Sequence, residues 1–542
     1  MSESQQPSQP GQPQSEPQQP QPPAPRKFVM PGDVYVRPGI DDRPDPDKVL
    51  SAADKAAIAR LSIRLPQNKA EASVTQSGLQ STRMATEVTP AVAAATIDAA
   101  MPDPDSAYLD MRDPVVAADG TRPTKGEVLR LKLGFVAGAL LCSVPWAAAT
   151  GTLLPAWLDR FGGAASAVPA LCLLNALGAV IAFCSQTMFA STSDGTHSKF
   201  GRRTLWIVAG GLITGLAMWA VASLGGAAIL PRLVVILWCV TQACYGMLIG
   251  PFVSVMADRV PDKFRPSADA WYGTGLAVAQ MLGGFAGALF VGRIHQGLTW
   301  GAASLALAGI VAVIVWPREK SSLEMRLPRN SMDDAFASLS LKGKVPGFRR
   351  VFWSRLFLMT AAGSVSVVAF FVAKYGVFAA PSAGEAGNLD AAMLVAWMGL
   401  VTFVVSLLAA WASGPIADRF GAWGPSLAGV ACVAVGALLP IALPGTALGL
   451  LLFAGFAGFG LGLFNAVGQE LVAAVLPDPR DAGRMLGTLN LAATLSVVLG
   501  ALVAWAVLDA TGSYVWLFAA SAVLAAVSAA FTVSVRGAFD RV

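Results

Sequence analysis

The sequence predicts an all-α membrane protein with twelve transmembrane helices, arranged as two repeats of six. Three observations predict this fold class. Of the 542 residues, 54% are hydrophobic and only 13% are charged, whereas soluble proteins carry about 25% charged residues. Apolar runs of the length that a helix needs to cross a bilayer recur from residue 131 to residue 535. Motifs in the connections also repeat between the two halves of the chain.

The beginning of the chain differs in composition from the rest. Residues 1–25 contain eight Pro and eight Gln, a composition that buries too little apolar surface to fold. We therefore predict a disordered, Pro/Gln-rich tail over residues 1–130. No charged apolar leader opens the chain, so this tail is expected to stay in the cytoplasm. The domains that follow are predicted as an N-terminal six-helix bundle, a cytoplasmic central loop, a C-terminal six-helix bundle and a cytoplasmic C-terminus, at 131–316, 317–352, 353–535 and 536–542.

Twelve apolar runs can be placed in order along the chain. They are predicted as helices because each is longer than a barrel strand of about ten residues and none alternates. Glycines at small-xxx-small spacing, such as Gly283 with Gly287 and Gly458 with Gly462, predict close approach of helix backbones. The predicted spans are 131–154, 166–190, 204–224, 230–253, 272–292, 299–316, 353–378, 391–412, 424–443, 446–467, 484–508 and 512–534.

Positive charge in the connections predicts the orientation, because Lys and Arg are retained on the cytoplasmic side. With the N-terminus inside, the inner connections carry 18 Lys and Arg and the outer side carries four, which include Arg160 and Lys374. Both termini are therefore predicted in the cytoplasm of a protein of the plasma membrane. The side chains of Arg355 and Lys374 are predicted to extend to the membrane surface.

Two pairs of loop motifs indicate a duplication. Asp194 precedes Gly201-Arg202-Arg203 in the connection between spans 2 and 3, and Asp418, 224 residues later, lies in a similar motif between spans 8 and 9. Val-Pro-Asp at 260–262 and Leu-Pro-Asp at 476–478 are 216 residues apart. Nearly equal offsets from unrelated motifs are typical of parallel six-span repeats.

These loops resemble the signature loops of the major facilitator superfamily. The sequence DGTHSKFGRR at 194–203 is similar to the long form of that signature, and GPIADRFG at 414–421 resembles the shorter form. Residues 257–273 and 474–490 resemble the matching loops after the fourth and tenth helices. The long form is most similar to that of the glycoside and cation symporters and the sucrose transporters. The resemblance implies a transporter that works by alternating access.

Charged residues and glycines of these loops form the predicted gating set. A carboxylate at a helix end can pair with an Arg or a helix N-terminus in one conformation and lose that contact in the other, which biases a two-state equilibrium. Anchoring of the topology by the arginines is the alternative that stays open. The set comprises Asp194, Gly201, Arg202, Arg203, Asp258, Arg259, Arg265, Gly414, Asp418, Arg419 and Arg484.

The resemblance also implies that spans 1, 4, 7 and 10 surround a central cavity. In span 4, an indole, an amide and a phenol lie at i, i+4 and i+7 on one helical face, which suits a neutral polyol. Packing between helices is the open alternative for these polar groups. Glu470 is the proton-coupling candidate, because apolar sequence flanks it closely, and no acidic residue is expected deep inside span 1 or span 2. The substrate-cavity candidates are Trp146, Trp238, Gln242, Tyr245, Asn465 and Gln469.

The expected function is secondary active transport of a small solute, with cation-coupled symport of a sugar or glycoside as the favoured form. The expected partners are a sugar-like or amphipathic substrate, a coupling proton or Na⁺, and the lipid bilayer. Two alternatives stay open: an efflux carrier for amphipathic compounds, and a non-transporting sensor or scaffold with the same fold. The sequence contains none of the common hydrolase or ATPase motifs and only two His. No enzymatic activity, cofactor, metal or nucleic-acid partner is therefore predicted.

Overall fold

The computed structural model describes residues 115–224, 231–323, 346–379, 387–468, 471 and 482–536, and these residues are helical apart from short connections. Ten segments among them are long and apolar enough to cross a membrane, and a bent pair of helices, Pro346–Val367 with Ala369–Val377, forms an eleventh. One of the ten, Arg265–Val315, consists of two antiparallel helices, which brings the described crossings to twelve. The predicted fold class and number of spans are confirmed. Most of the predicted tail, residues 1–114, lies outside the described residues.

The crossings are numbered here as spans 1 to 12 in chain order. Several helices continue beyond the apolar runs, because polar residues at the membrane surface keep their backbone hydrogen bonds within the helix. The bounds are Lys125–Asp159, Ala164–Asp194, Thr204–Leu224, Pro231–Arg259, Arg265–Phe290, Ile294–Val315, Pro346–Val377 with its bend, Asn388–Phe420, Trp423–Ala442, Ala447–Ala466, Ala482–Thr511 and Tyr514–Ser534.

Span 1 extends past the predicted end at residue 154. An α-helix is followed by a π-helical turn at Ala149–Leu153, in which the Leu154 N–H donates to the Ala149 carbonyl, and then by a short α-helix, Leu154–Asp159. Pro155 lies in the first turn of that short helix, where its missing N–H breaks no helical hydrogen bond. The chain then leaves the helix at Gly162 and Gly163, which have positive φ values of 144° and 68°. The π-helical turn therefore brings the following residues, up to Asp159, into the helical core.

In the N-terminal half, span 1 packs against spans 5 and 6. A Cβ added to Gly283 in span 5 would lie 2.8 Å from the Val144 carbonyl oxygen of span 1, so the two backbones are in close contact. Ser304 in span 6 donates from its hydroxyl to the Leu141 carbonyl of span 1 at 2.8 Å. The close approach predicted from the Gly283 spacing is confirmed, and a polar side chain stabilises the second contact.

The C-terminal half repeats this arrangement, with span 7 packed against spans 11 and 12. The hydroxyls of Ser354 in span 7 and Thr532 in span 12 are 2.6 Å apart. Ser521 of span 12 donates to the Ala361 carbonyl of span 7 at 2.7 Å. Span 7 thus has the place in its half that span 1 has in the other, as the offset of the loop motifs predicts.

The two halves contact each other through spans 5 and 8 and through spans 2 and 11. The rings of Phe285 and Trp397 pack edge to face with centroids 5.7 Å apart. The Cys172 thiol hydrogen-bonds the backbone of Trp505. Both contacts lie near the end of the bundle that contains Asp159. We call this end the Asp159 end and the opposite one the Asp194 end.

Gly210 tests the close packing of spans 3 and 4, because a Cβ there would lie 2.6 Å from the Leu248 backbone nitrogen. We expect Gly210→Ala to lower the melting temperature of the purified protein in detergent, with a cost of about 1–3 kcal/mol from overpacking. Gly399→Ala is the matched control, since a Cβ at that helical position meets no atom within 4 Å. Equal melting temperatures for the two variants would contradict the packing.

Candidate functional site

A buried group of polar side chains joins the two halves at the Asp159 end. The Lys374 Nζ lies 2.6 Å from Asp159 Oδ2 and donates to Asn388 Oδ1 at 2.7 Å. The Tyr375 hydroxyl donates to Asp159 Oδ1 at 2.6 Å. Both charged side chains have 0% relative exposure. We call Asp159, Lys374, Tyr375 and Asn388 the inter-half cluster, because the first belongs to span 1 and the others to spans 7 and 8.

The geometry of span 7 lets two consecutive residues reach the same carboxylate. This span bends by 51° after Val367 and ends in a π-helical turn, Val372–Val377. In a regular α-helix, neighbouring side chains point about 100° apart, whereas Lys374 and Tyr375 each contact one oxygen of Asp159. The π-helical turns of spans 1 and 7 begin at residues 149 and 372, which are 223 apart. This separation matches the repeat offset, so both halves carry the same irregularity, a kind that is frequent at functional sites.

The inter-half cluster corrects the sequence analysis. Lys374 does not extend to the membrane surface, and Arg355 is also buried, with 4% relative exposure. The expectation that span 1 holds no buried acidic residue is wrong, because the helix continues to Asp159. Burying a charge costs several kcal/mol unless a well-placed partner compensates it, and ionisable residues within membrane spans usually mark a functional site. The cluster is therefore the strongest candidate site among the described residues.

A cleft of about 560 Å³ opens beside the inter-half cluster. Tyr375, Gly376, Tyr514 and Thr446 are among its lining residues, together with Ala164 from the N-terminal half. Tyr375 is half-buried, and its hydroxyl binds Asp159. One side chain thus connects the cleft with the buried carboxylate.

At the Asp194 end, four of the predicted gating residues form a second charged group. Arg203 pairs with Asp194 through Nη2 and with Asp258 through Nε, the latter at 2.9 Å. Arg202 Nη2 lies 2.5 Å from the other oxygen of Asp258. We call these four residues the loop cluster. They come from the ends of spans 2, 3 and 4, so the loop cluster ties together helices of the same half.

Glu319, which the sequence analysis does not single out, completes this end of the N-terminal half. Its carboxylate accepts hydrogen bonds from the backbone N–H groups of Arg202, Arg203 and Thr204 at 3.1–3.3 Å and from the Thr204 hydroxyl at 2.8 Å. A negative charge is favourable at the N-terminus of a helix, here that of span 3. Gly201 has a φ of +96°, and a Cβ there would overlap the Glu319 carboxylate. The chain therefore needs Gly at position 201.

The other predicted gating residues lie in separate environments. Arg259 is buried and donates to the Pro317 carbonyl at 2.5 Å, and Arg265 pairs with Asp262 at 2.8 Å in its own loop. In span 8, a Cβ at Gly414 would meet no atom within 4 Å, and Arg419 is exposed. The side chains of Asp418 and Arg484 lie outside the described residues. A gating role for this set stays a prediction.

The predicted cavity residues are partly brought together between spans 1 and 4. Trp146 stacks on Tyr245 with centroids 4.0 Å apart and lies 4.9 Å from Trp238, and all three rings are buried. Gln242 faces span 2, where a Cβ at Gly178 would lie 3.0 Å from its Nε2.

Some of these candidates keep unused hydrogen-bonding capacity. Within the described part of the chain, the Trp238 Nε1 and both amide atoms of Asn465 are buried without a hydrogen-bond partner. Asn465 belongs to span 10 in the other half, and Gln469 and Glu470 lie outside the described residues. The role of these residues as a substrate cavity stays a prediction.

A double-mutant cycle tests the inter-half cluster. We expect Asp159→Asn alone and Lys374→Met alone each to destabilise the purified protein by about 3–5 kcal/mol, because each leaves one buried charge without its counter-charge. The double variant should lose much less than the two single losses together, since no uncompensated charge remains. Melting temperatures in detergent provide the measurement. Additive losses would show that the two side chains do not form a pair.

The fold and sequence can now be compared with known proteins. Two crystal structures of the nucleoside transporter NupG, one of them a point mutant, resemble this fold with TM-scores of 0.53 and 0.55. Sequence identities are 16% and 15%, and the matches cover 76% of this chain and 99% and 100% of those chains. Such a likeness shows the fold alone. No curated protein matches the chain.

The sequence model of the Major Facilitator Superfamily matches residues 135–447. The match covers more than half of the 542 residues, and it begins in span 1 and reaches the start of span 10. The protein is therefore a multi-pass membrane protein that belongs to the Major Facilitator Superfamily.

Proposed function

We propose that the protein is a secondary active transporter that moves a small polar solute by alternating access and couples this movement to a cation. The inter-half cluster carries the proposal. Asp159 and Lys374 tie the two halves at one end, and a buried ion pair between two bodies has two discrete states, formed and broken. The loop cluster supports the proposal as well, because it stabilises one half as a unit that can move relative to the other.

Charge asymmetry supports an orientation with the Asp194 end in the cytoplasm. The connections at that end carry most of the Lys and Arg, and positive charge is retained on the cytoplasmic side. Both termini are then cytoplasmic, and the Asp159 end faces outward. Since the described contacts between the halves lie at the Asp159 end, the conformation in hand is closed toward the outside.

Neutral groups in the predicted cavity support a neutral substrate with a sugar ring. The Trp146, Trp238 and Tyr245 rings offer flat apolar surfaces, and the Trp238 N–H and the Asn465 amide lack partners among the described residues. Such groups suit a solute that presents several hydroxyls and a flat face. Glycosides and nucleosides both have this chemistry, and the structures with a similar fold are those of a nucleoside transporter. We propose this substrate class.

Cysteine labelling tests the orientation. Arg160 and Lys199 are both exposed and lie at opposite ends of the bundle. We expect a membrane-impermeant maleimide to label Arg160→Cys in intact cells and Lys199→Cys only after permeabilisation. The parent protein, which has six cysteines, provides the background. Labelling of both positions from the same side would contradict the twelve-span topology, and the reverse pattern would invert the orientation.

Uptake into proteoliposomes tests the function. We expect radiolabelled uridine or sucrose to accumulate under an inwardly directed proton gradient, and the accumulation to collapse when a protonophore dissipates the gradient. Trp146→Ala should raise the apparent KM about two- to tenfold, because one stacking contact contributes about 0.5–1.5 kcal/mol. Trp411→Ala, at a helix position with 82% exposure, is the matched control and should leave uptake unchanged.

Two results would contradict this proposal in different ways. Uptake of neither solute under either condition would reject the sugar-like substrate class and favour the efflux alternative. Equal KM changes in Trp146→Ala and Trp411→Ala would separate the aromatic stack from the substrate.

A further inference from the structure

We propose that Asp159 is the binding site of the coupling cation, that this cation is a proton, and that Lys374 competes with the proton for the same carboxylate. The inference rests on the proposed function and deepens it, since it names the ion and its site. In the structure the ammonium of Lys374 occupies the position beside Asp159 Oδ2 that a proton would otherwise take.

The two competitors are separated by the movement that alternating access requires. Lys374, Tyr375 and Asn388 all belong to spans 7 and 8, whereas Asp159 belongs to span 1. Separation of the halves at the Asp159 end therefore removes the ammonium and the phenol from the carboxylate in one step. A carboxylate that loses its counter-charge in an apolar setting is neutralised by uptake of a proton. When the halves close again, the ammonium returns, stabilises the carboxylate and expels the proton.

This exchange conserves charge at the carboxylate. In the closed state the negative charge of Asp159 is balanced by the ammonium of Lys374. In the open state a proton forms an O–H bond with Asp159, and the ammonium of Lys374 is free to be hydrated in the opened passage. One proton is thus bound on each opening and released on each closing.

The surroundings supply a route to this site. The cleft lined by Tyr375 and Tyr514 reaches the phenol that bonds Asp159, so water at the Asp159 end needs to pass only that side chain.

The other titratable and charged groups near Asp159 are few. Tyr514 of span 12 interacts with Asp159 electrostatically, and it is a neutral phenol. Arg160 follows Asp159 in the chain and is exposed, and Asp509 of span 11 lines a neighbouring cleft with Tyr514 and is exposed. Within this surrounding set, Asp159 and Lys374 are the buried pair of opposite charge.

Electron-electron distance measurements test the inference without a substrate. Spin labels on Ala165→Cys and Leu389→Cys, both exposed and in opposite halves at the Asp159 end, report separation of the halves in the full-length protein in lipid nanodiscs. We expect acid to favour the long-distance population, because the open state binds one more proton. The ratio of open to closed protein should change at most about tenfold per pH unit, the limit for one proton.

Variants identify the group that titrates. Asp159→Asn, which imitates the protonated side chain, should favour the open population at every pH and abolish the pH dependence. Asp509→Asn is the matched control, because it removes an exposed carboxylate at the same end, and it should behave like the parent. Lys374→Met, which removes the competitor, should also abolish the pH-driven change in distance.

Three results would overturn the inference. One is a distance distribution of the parent that is unchanged from pH 5 to pH 9. Another is a pH dependence that persists in Asp159→Asn. The third is a pH dependence that Glu470→Gln removes and Asp159→Asn retains, or one that follows the Na⁺ concentration at constant pH. Failure of uridine and sucrose uptake would contradict the proposed substrate and leave these distance results interpretable.

Discussion

The ion pair between Asp159 and Lys374 is the constraint on which the arrangement of the two halves depends. Its members lie 215 residues apart in sequence and are fully buried, so each would face an apolar environment without its partner. Removing two charges from water is unfavourable unless the geometry is close to ideal. The extension of span 1 past Pro155, the 51° bend of span 7 and the two π-helical turns together provide this geometry. Irregular helix geometry thus positions the side chains that join the halves.

The two ends of the molecule use charge in different ways. At the Asp194 end, the loop cluster and Glu319 connect spans 2, 3 and 4 with the residues that follow span 6, all of which belong to the N-terminal half. Ser322 extends this connection, because it hydrogen-bonds the backbone of Ser198 in both directions at 2.9 and 3.0 Å. At the Asp159 end, by contrast, the charges connect one half with the other. A half stabilised internally and held to its neighbour at one end has the mechanical properties that rigid-body movement needs.

The sequence predicted the fold well, because hydropathy, charge asymmetry and repeated loops are local signals. It also brought together four residues of the loop cluster, since an acidic residue at a helix end and two arginines before the next helix lie within one connection. The inter-half cluster could not be found in this way. A hydropathy window treats a buried Lys and a surface Lys alike, and Pro155 and Asp159 look like the end of a span. Glu319 was missed for a similar reason, because its partners are backbone N–H groups, which leave no mark in the sequence.

The charge pair also has a consequence for biogenesis. Span 1 leaves the ribosome long before span 7, so Asp159 enters the membrane before its counter-charge has been made. The N-terminal half can complete its own loop cluster and the Glu319 cap once residue 323 has been synthesised, but its outer end stays unfinished until Lys374 arrives. Two fragments divided after Leu323 would each carry one unbalanced charge and would need each other to assemble. The halves are therefore obligate folding partners, even though each has its own packed core.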